Sequence, residues 1–471
     1  MLKTLMDLTR FGMGLKRWLA FGILGFLLIL LGITEILDNR FFSNLYKLYF
    51  FFLIGSGVFI VYISISEALK NFVKLLREGM FNVNLESREV NSMVMEKRLQ
   101  TNGPKLVAIG GGTGLSTMLK GLKHYTSNLT AVVTVGDDGG GSGTLRNEMG
   151  ILPPGDIRNC LVALANTDSA LEELMQYRFA DGSLKGQSFG NLFLAAMNGM
   201  SDSFEEAVSK MSDVLAITGK VFPVTLKDLR LSARLADGTI ISGESNIGHG
   251  ATSDNPIVRL SISPPDADAP QGVLDAIREA EAIVIGPGSL FTSLMPNLLI
   301  QNVAKAIRES TAIKIYIANI MTQPGETDGY SVIDHLEKIL QHCDLGQIDY
   351  VIVNSKKLSD LDAIKNYQRT GSKEVNLNRG AVESLGIRVV EADVLKINRR
   401  QVRHDPEKLA NVVMNIVLAD QEFNKPMTAL DYIAVRERKH KINQQTDLDH
   451  KPSGLDHKPS ALDHKPSGLD H

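Results

Sequence analysis

Cysteine is nearly absent: Cys160 and Cys343 are the only two in 471 residues. They lie far apart and match no metal-ligand spacing, which excludes a disulfide scaffold and leaves reduced thiols in a cytosolic body as the simple reading. An excess of charge of one sign is also missing. Lys and Arg number 50 against 53 Asp and Glu, a formal charge of −3, so the basic field that a phosphate-gripping nucleic-acid binder uses is not there. Aromatic residues make up only 6%, and none cluster around the glycine-rich segments described below. Hydrophobic residues at 44% and charged residues at 22% are an ordinary globular balance, which rules out wholesale disorder and, at this length, predicts two or three domains.

The first seventy residues depart from that balance. WLAFGILGFLLILLGIT (18–34) carries no charge and continues past a single Glu35 to Leu37, and LYFFFLIGSGVFIVYISI (48–65) is again uncharged. Each is close to the roughly 20 residues that cross a bilayer core as a helix. No small-residue cleavage site separates the two runs, which argues against a signal peptide. Residues 1–77 are therefore expected to form a transmembrane helical hairpin with spans at 18–37 and 48–65; a buried helical pair is the alternative. Lys3, Arg10, Lys16 and Arg17 precede the first run, Lys70, Lys74 and Arg77 follow the second, and only Arg40 and Lys47 lie between. The positive-inside bias then puts both termini and the main domain in the cytoplasm, at the inner membrane. Residues 78–103 read as a polar linker and 421–447 as a C-terminal extension. The tail, 448–471, repeats LDHKPSG; one Leu and one Pro per unit give no coiled-coil seam, so a disordered tail is expected.

The body, 104–420, reads as an α/β protein: a Rossmann-like doubly wound, mostly parallel sheet with a small β-hairpin insertion. A strand at 106–109 leads into Gly110, Gly111, Gly112, Thr113 and Gly114 and then a helix, an order that presents backbone N–H groups to an anion. The spacing is neither the dinucleotide fingerprint nor a P-loop. A second strand, 131–135, runs into Asp137, Asp138, Gly139 and Gly140, placing two carboxylates where a parallel sheet binds ligands. Such carboxylates suit ribose hydroxyls, a divalent cation or general-base work. Further on, Asp156 can cap a helix whose first turn carries Arg158 and Asn159, and Gly190 with Asn191 opens another helix. The strand 282–285 ends in Gly286, Pro287, Gly288 and Ser289, a second anion-ready turn, and a later strand leads to Asn319 and a polar loop. LRLSARLADGTIISGESNI is the expected hairpin, turning at Asp237-Gly238.

GGGTGL, DDGG-S-G, PPGDIRN, FGNL, IGPGSLFTSLMPNLL and NIMTQPGET, in this order, resemble the CofD-like superfamily and within it the YvcK-like gluconeogenesis-factor branch. The resemblance covers about 105–420. It implies a Rossmann-like core that binds a nucleotide-type ligand at the strand ends, often as a homodimer. For the YvcK-like branch it implies UDP-sugar binding, of the UDP-N-acetylglucosamine type, and a part in cell shape and wall-precursor regulation, with cell-wall synthesis proteins as candidate partners. The CofD branch implies instead transfer of a 2-phospho-L-lactate group from a nucleotide diphosphate carrier to a deazaflavin, with Asp137 or Asp138 as catalytic candidates and Mg²⁺ as a companion of the diphosphate. The resemblance carries Gly110–Gly114, Asp137–Gly140, Gly190–Asn191 and Gly286–Ser289 into the ligand site. It departs at Thr144, where the branch usually has Arg. No acceptor-sized aromatic platform accompanies the motifs, so a non-catalytic nucleotide-sugar-binding regulator is the preferred expectation and a resident metal is not expected.

Overall fold

In a computed structural model, the described residues are 15–37, 44–77, 101, 103–166, 169–398 and 401–424. Most of the expected linker, most of the C-terminal extension and the repeat tail lie outside them.

Two long helices open the chain, α1 (Leu15–Leu37) and α2 (Asn44–Arg77). They pack on each other through small residues: Gly25 faces the Gly57 backbone and Gly32 faces Ile54, and the Ser64 hydroxyl donates to the Trp18 carbonyl. Close backbone approach of this kind is how helices associate without a hydrophobic drive between them. Their other faces leave Phe21, Phe26, Leu31, Phe52, Phe59 and Tyr62 exposed. Among the described residues, only the Phe50–Glu67 stretch of α2 is long and apolar enough to cross a membrane; the apolar part of α1, Phe21–Thr34, is shorter. Two spans were expected.

The body is built on a seven-stranded, all-parallel sheet. In chain order its strands are β1 (Leu106–Gly110), β2 (Leu129–Val133), β3 (Lys220–Pro223), β7 (Ala282–Ile285), β8 (Ile313–Ile317), β9 (Tyr350–Asn354) and β10 (Arg388–Ala392), and in space they run β10-β9-β8-β7-β1-β2-β3. The central strands LVAIG, AIVI and IKIYI are buried at every position, as expected of parallel strands covered on both faces by helices. A separate antiparallel sheet, β5-β4-β6, holds β4 (Arg230–Leu235), β5 (Ile240–Ser242) and β6 (Ile257–Ser263). The β4–β5 pair is the expected hairpin. Its third strand was not foreseen, because IVRLSIS carries an arginine in mid-strand. Nor was β11 (Leu395–Asn398) paired with β12 (Gln401–His404), which sits on a small cluster of Ile320, Leu395 and Val402 packed against Tyr367.

The order places the functional edge. From β1 the chain winds outward through β2 to β3, then returns to the other side of β1 at β7 and winds outward again. The reversal lies between β1 and β7, and the crevice outside the carboxyl ends of those strands is where open α/β sheets bind ligands.

Candidate functional site

A cleft of about 470 Å³ opens at that crevice. It is lined in spatial order by the loops after β8 (Asn319–Gln323), β7 (Pro287–Ser293), β1 (Gly111–Gly114) and β2 (Thr134, Asp137), with Asp156, Glu244, Tyr367 and the β12 residues Arg403 and His404 closing its walls. A hollow of about 560 Å³ lies on the far side of Arg146. There Arg146 and Asp228 are already paired to each other, so the chemistry concentrates in the smaller cleft.

At the centre, helix α3 (Gly112–Leu122) starts directly after β1 with Gly111 at its N-cap, which has no side chain to cap the helix; among its first amides Gly112 donates to Asp156. Orphan N–H groups and the positive end of the helix dipole then face the cleft. Gly112 holds φ +64, and a Cβ there would meet only Ser293 Oγ at an ordinary 3.6 Å, so glycine is needed for the left-handed backbone and not for room. Gly114 is the opposite case: a Cβ there would strike the Pro287 carbonyl, and its absence lets the β1 and β7 turns touch.

The β2 end is acidic. Asp137, Asp156 and Glu244 all line it. Asp156 accepts a hydrogen bond from the Gly112 amide, yet burial and the neighbouring Asp137 charge push its carboxyl up to about 6. Burial, then Asp137 and Asp156, push Glu244 up to about 7. These are groups that exchange protons near neutral pH inside a cleft, a common mark of a functional site. Asp156 reads in sequence as a helix cap; it instead sits inside the first turn of the helix Gly155–Leu164 and turns to the cleft. Glu244 lies beyond the hairpin in a segment with no local signal, and only the fold brings it to Asp137.

The β7 turn differs from the expected second anion site. The first amides of its π-helical turn, Phe291 and Thr292, donate at 2.6 and 3.2 Å to Oε1 of Glu326, which is 3% exposed. The protein's own carboxylate occupies the nest. Gly288 and Ser289 remain in the lining, and Gln323 Nε2 donates to Ser289 Oγ at 2.6 Å. Arg403 is the one cation among the described lining residues.

Several expected site residues do other work. Gly110 ends β1, its carbonyl accepting from Asn297 Nδ2 at 3.1 Å. Gly139 donates its amide to Asp137 Oδ1 at 2.9 Å, and Gly140 and Gly286 are turn residues with φ of +50 and +87 outside the lining. Asp138 faces away from the cleft and caps a helix: it accepts from the Glu244 amide, the Ser245 amide and Ser245 Oγ at 3.0, 2.9 and 2.6 Å. Burial pushes its carboxyl up, but these bonds and Arg146 outweigh that and hold it below the usual carboxylate range. Arg158, expected as a phosphate fork, is buried and bonds Asn191 Oδ1 at 3.2 Å and the Met175 carbonyl at 3.4 Å. Asn159, Gly190 and Asn191 stay with it outside the lining; Gly190 packs on the Met175 carbonyl. Arg146 is 5% exposed and clamps the carbonyls of Gly136, Asp137 and Leu229, while Thr144 only donates to the Gly140 carbonyl. The Arg expected at position 144 would thus start outside the present cleft lining.

Fold and site together define a doubly wound α/β protein with a phosphate-ready crevice at its switch point. Residues 106–395 match the family described as 2-phospho-L-lactate transferase CofD, and the chain belongs to that family, in its YvcK-like gluconeogenesis-factor branch. It is 42% identical over 315 residues, 67% of this chain and 98% of the relative, to the gluconeogenesis factor of Bacillus subtilis. It is 47% identical over 442 residues, 93% of this chain and 98% of the relative, to a Clostridium acetobutylicum protein named "Putative gluconeogenesis factor", a match longer than the body alone. Among solved structures, a UPF0052 family member from Bacillus halodurans aligns with TM-score 0.64 and 41% identity, covering 67% of this chain and all of that one.

Proposed function

We propose that this chain is a nucleotide-sugar-binding regulator of the gluconeogenesis-factor type. Its ligand is a UDP-sugar of the UDP-N-acetylglucosamine kind, and its output concerns cell shape and cell-wall precursor metabolism. The observation that carries the reading is the glycine-capped start of α3 at the switch point: its dipole and the amides beyond Gly112 suit a diphosphate, with carboxylates beside it for ribose hydroxyls. Membrane attachment through α1 and α2, with two spans and the body in the cytoplasm, accounts for their exposed apolar faces and basic flanks. It would hold the sensor beside wall-synthesis proteins, and a second copy of the chain is a further proposed partner.

Among the described residues no group of three or more His, Cys, Asp or Glu is arranged to hold a metal ion. A Mg²⁺ arriving with the diphosphate would therefore draw most of its ligands from phosphate oxygens and water, as that ion ordinarily does. A second reading, a transferase acting on a 2-phospho-L-lactate-type group, draws on Asp156 and Glu244, whose carboxyls at about 6 and 7 suit general-base work. Calorimetry of the protein with UDP-N-acetylglucosamine, UDP and GDP tests the first reading, which expects the UDP compounds to bind and none to be turned over. Release of a product from a nucleotide-linked donor, lost on Asp156→Asn or Glu244→Gln, would establish the transferase instead.

A further inference from the structure

The cleft has two ends of different chemistry. The β2 end holds three carboxylates, and the diphosphate-ready amides stand at β1. A nucleoside placed in the usual way, with its ribose hydroxyls on the β2 acids, sends the group beyond its second phosphate toward β8. The lining there is Asn319–Gln323, Tyr367 and the β12 residues. Most polar groups on that side are already engaged. The Tyr367 hydroxyl is bonded by the Val402 amide at 2.9 Å, and Arg403 reaches the Val402 carbonyl and Gln401 Oε1.

Two atoms are not. Gln323 Oε1 and His404 Nε2 are buried and have no hydrogen-bond partner. Both residues line the cleft, and His404 is 8% exposed. Their surroundings fix what they can do. Gln323 spends its Nε2 on Ser289 Oγ and its main-chain N–H on Thr327 Oγ1, so its carbonyl oxygen is left as an acceptor. His404 bonds the Ala318 backbone, and burial pushes its imidazole down to about 4. The ring is neutral at physiological pH, with its proton on the Nδ1 side, and Nε2 presents a lone pair. Six buried side-chain atoms lack a partner among the described residues, and these two are the ones whose residues share the lining of the cleft, which points to a missing partner there.

We propose that Gln323 Oε1 and His404 Nε2 form an acceptor-only subsite that receives hydroxyl or acylamino N–H donors from the sugar of a nucleoside diphosphate sugar. The inference rests on the nucleotide-sugar reading and deepens it. The central amides hold any nucleoside diphosphate, and the β8 end distinguishes a glycosylated one from a bare one. A donor-rich sugar satisfies both acceptors, whereas a terminal phosphate offers none, so the pair selects for the sugar by leaving its absence uncompensated.

The test titrates the detergent-solubilised full chain with UDP, UDP-glucose and UDP-N-acetylglucosamine. His404→Asn keeps an N–H toward Ala318 and deletes the acceptor; Gln323→Met deletes the other; His404→Gln restores a carbonyl oxygen. Thermal melts confirm that each variant folds, and the two independent sites keep the test open if one does not. In the wild type, both sugar nucleotides should bind at least tenfold more tightly than UDP. Each deletion should remove most of that advantage and leave UDP binding unchanged, with partial recovery in His404→Gln. Equal losses for UDP and UDP-sugars, or no loss for either, would overturn the subsite while leaving nucleotide binding standing. A wild type that binds none of the three overturns both readings together.

Discussion

Replacing Asp156 by Asn should make the ligand-free protein more stable, and by an amount that depends on pH in a defined direction. The carboxyl sits in the cleft wall where burial, and then the charge of Asp137, raise it from 3.8 to about 6. A folded chain that binds a proton more tightly than the unfolded chain loses stability as pH rises between the two values. Below 3.8 both states carry the proton and nothing is lost. Above about 6 both are ionised and the full penalty applies, about 3 kcal/mol at 1.36 kcal/mol per pH unit. By the same linkage the penalty is about 0.5 kcal/mol at pH 4 and close to its full value at pH 8. Asparagine copies the neutral carboxyl, retaining an oxygen for the Gly112 amide, and so removes this slope.

The body is the natural object for the assay, since the Bacillus halodurans structure aligns over its whole length with two thirds of this chain. For a domain of this size, about 2–3 kcal/mol corresponds to a rise in Tm of about 4 °C. Melts at pH 8 should show that rise in Asp156→Asn, and melts at pH 4 should show almost none. Asp137→Asn should recover only part of it, because burial is the larger cause and Asp137 the second. An equal shift at both pH values, or none at pH 8, would refute the account of Asp156 as a strained cleft acid. Loss of ligand affinity in the same variant would identify the strain as the cost of function.

Three further outcomes follow from the same contacts. Asp138→Ala removes three accepted bonds at the start of the helix Glu244–Gly250 and should cost about 1–2 kcal/mol in a denaturant titration; the wild-type contribution is present at neutral pH and fades as pH falls below 3.8, since the folded carboxyl is held low. Glu326→Ala leaves the buried Phe291 and Thr292 amides without an acceptor and should cost about 1–3 kcal/mol, with Glu326→Gln, which keeps one oxygen, losing visibly less in the same titration. The full-length protein should sediment with membranes and require detergent for release, and extraction by high salt alone would refute the helical anchor.

How much of this was legible beforehand follows from where the information resides. The strands LVAIG and AIVI and their glycine turns are local signals, an apolar run followed by residues that tolerate unusual backbone, and the fold keeps them at Leu106–Gly110 and Ala282–Ile285. The order of strands then dictates that the two turns meet at the switch point. What the residue pattern does not carry is which way a polar side chain faces. Asp137 and Asp138 are adjacent and chemically identical, yet one lines the cleft and the other caps a helix more than a hundred residues away. Arg158 reads as a phosphate fork from its place in a first turn, but three dimensions bring Asn191 and a carbonyl within its reach and bury it. Glu326 reads as a loop residue and occupies the very amides that the GPGS turn seemed to offer a ligand. His404 and Gln323 line the cleft from different elements, the first on a β11–β12 hairpin too short to announce itself. In each case the deciding partner is distant in sequence, so local chemistry names the candidates while tertiary contacts assign them. The proposed anion site is therefore narrower than its glycines imply: the π-helical turn is filled by Glu326 and the Gly112 amide is taken by Asp156, which leaves the remaining amides at the start of α3 for the negative charge of the proposed ligand.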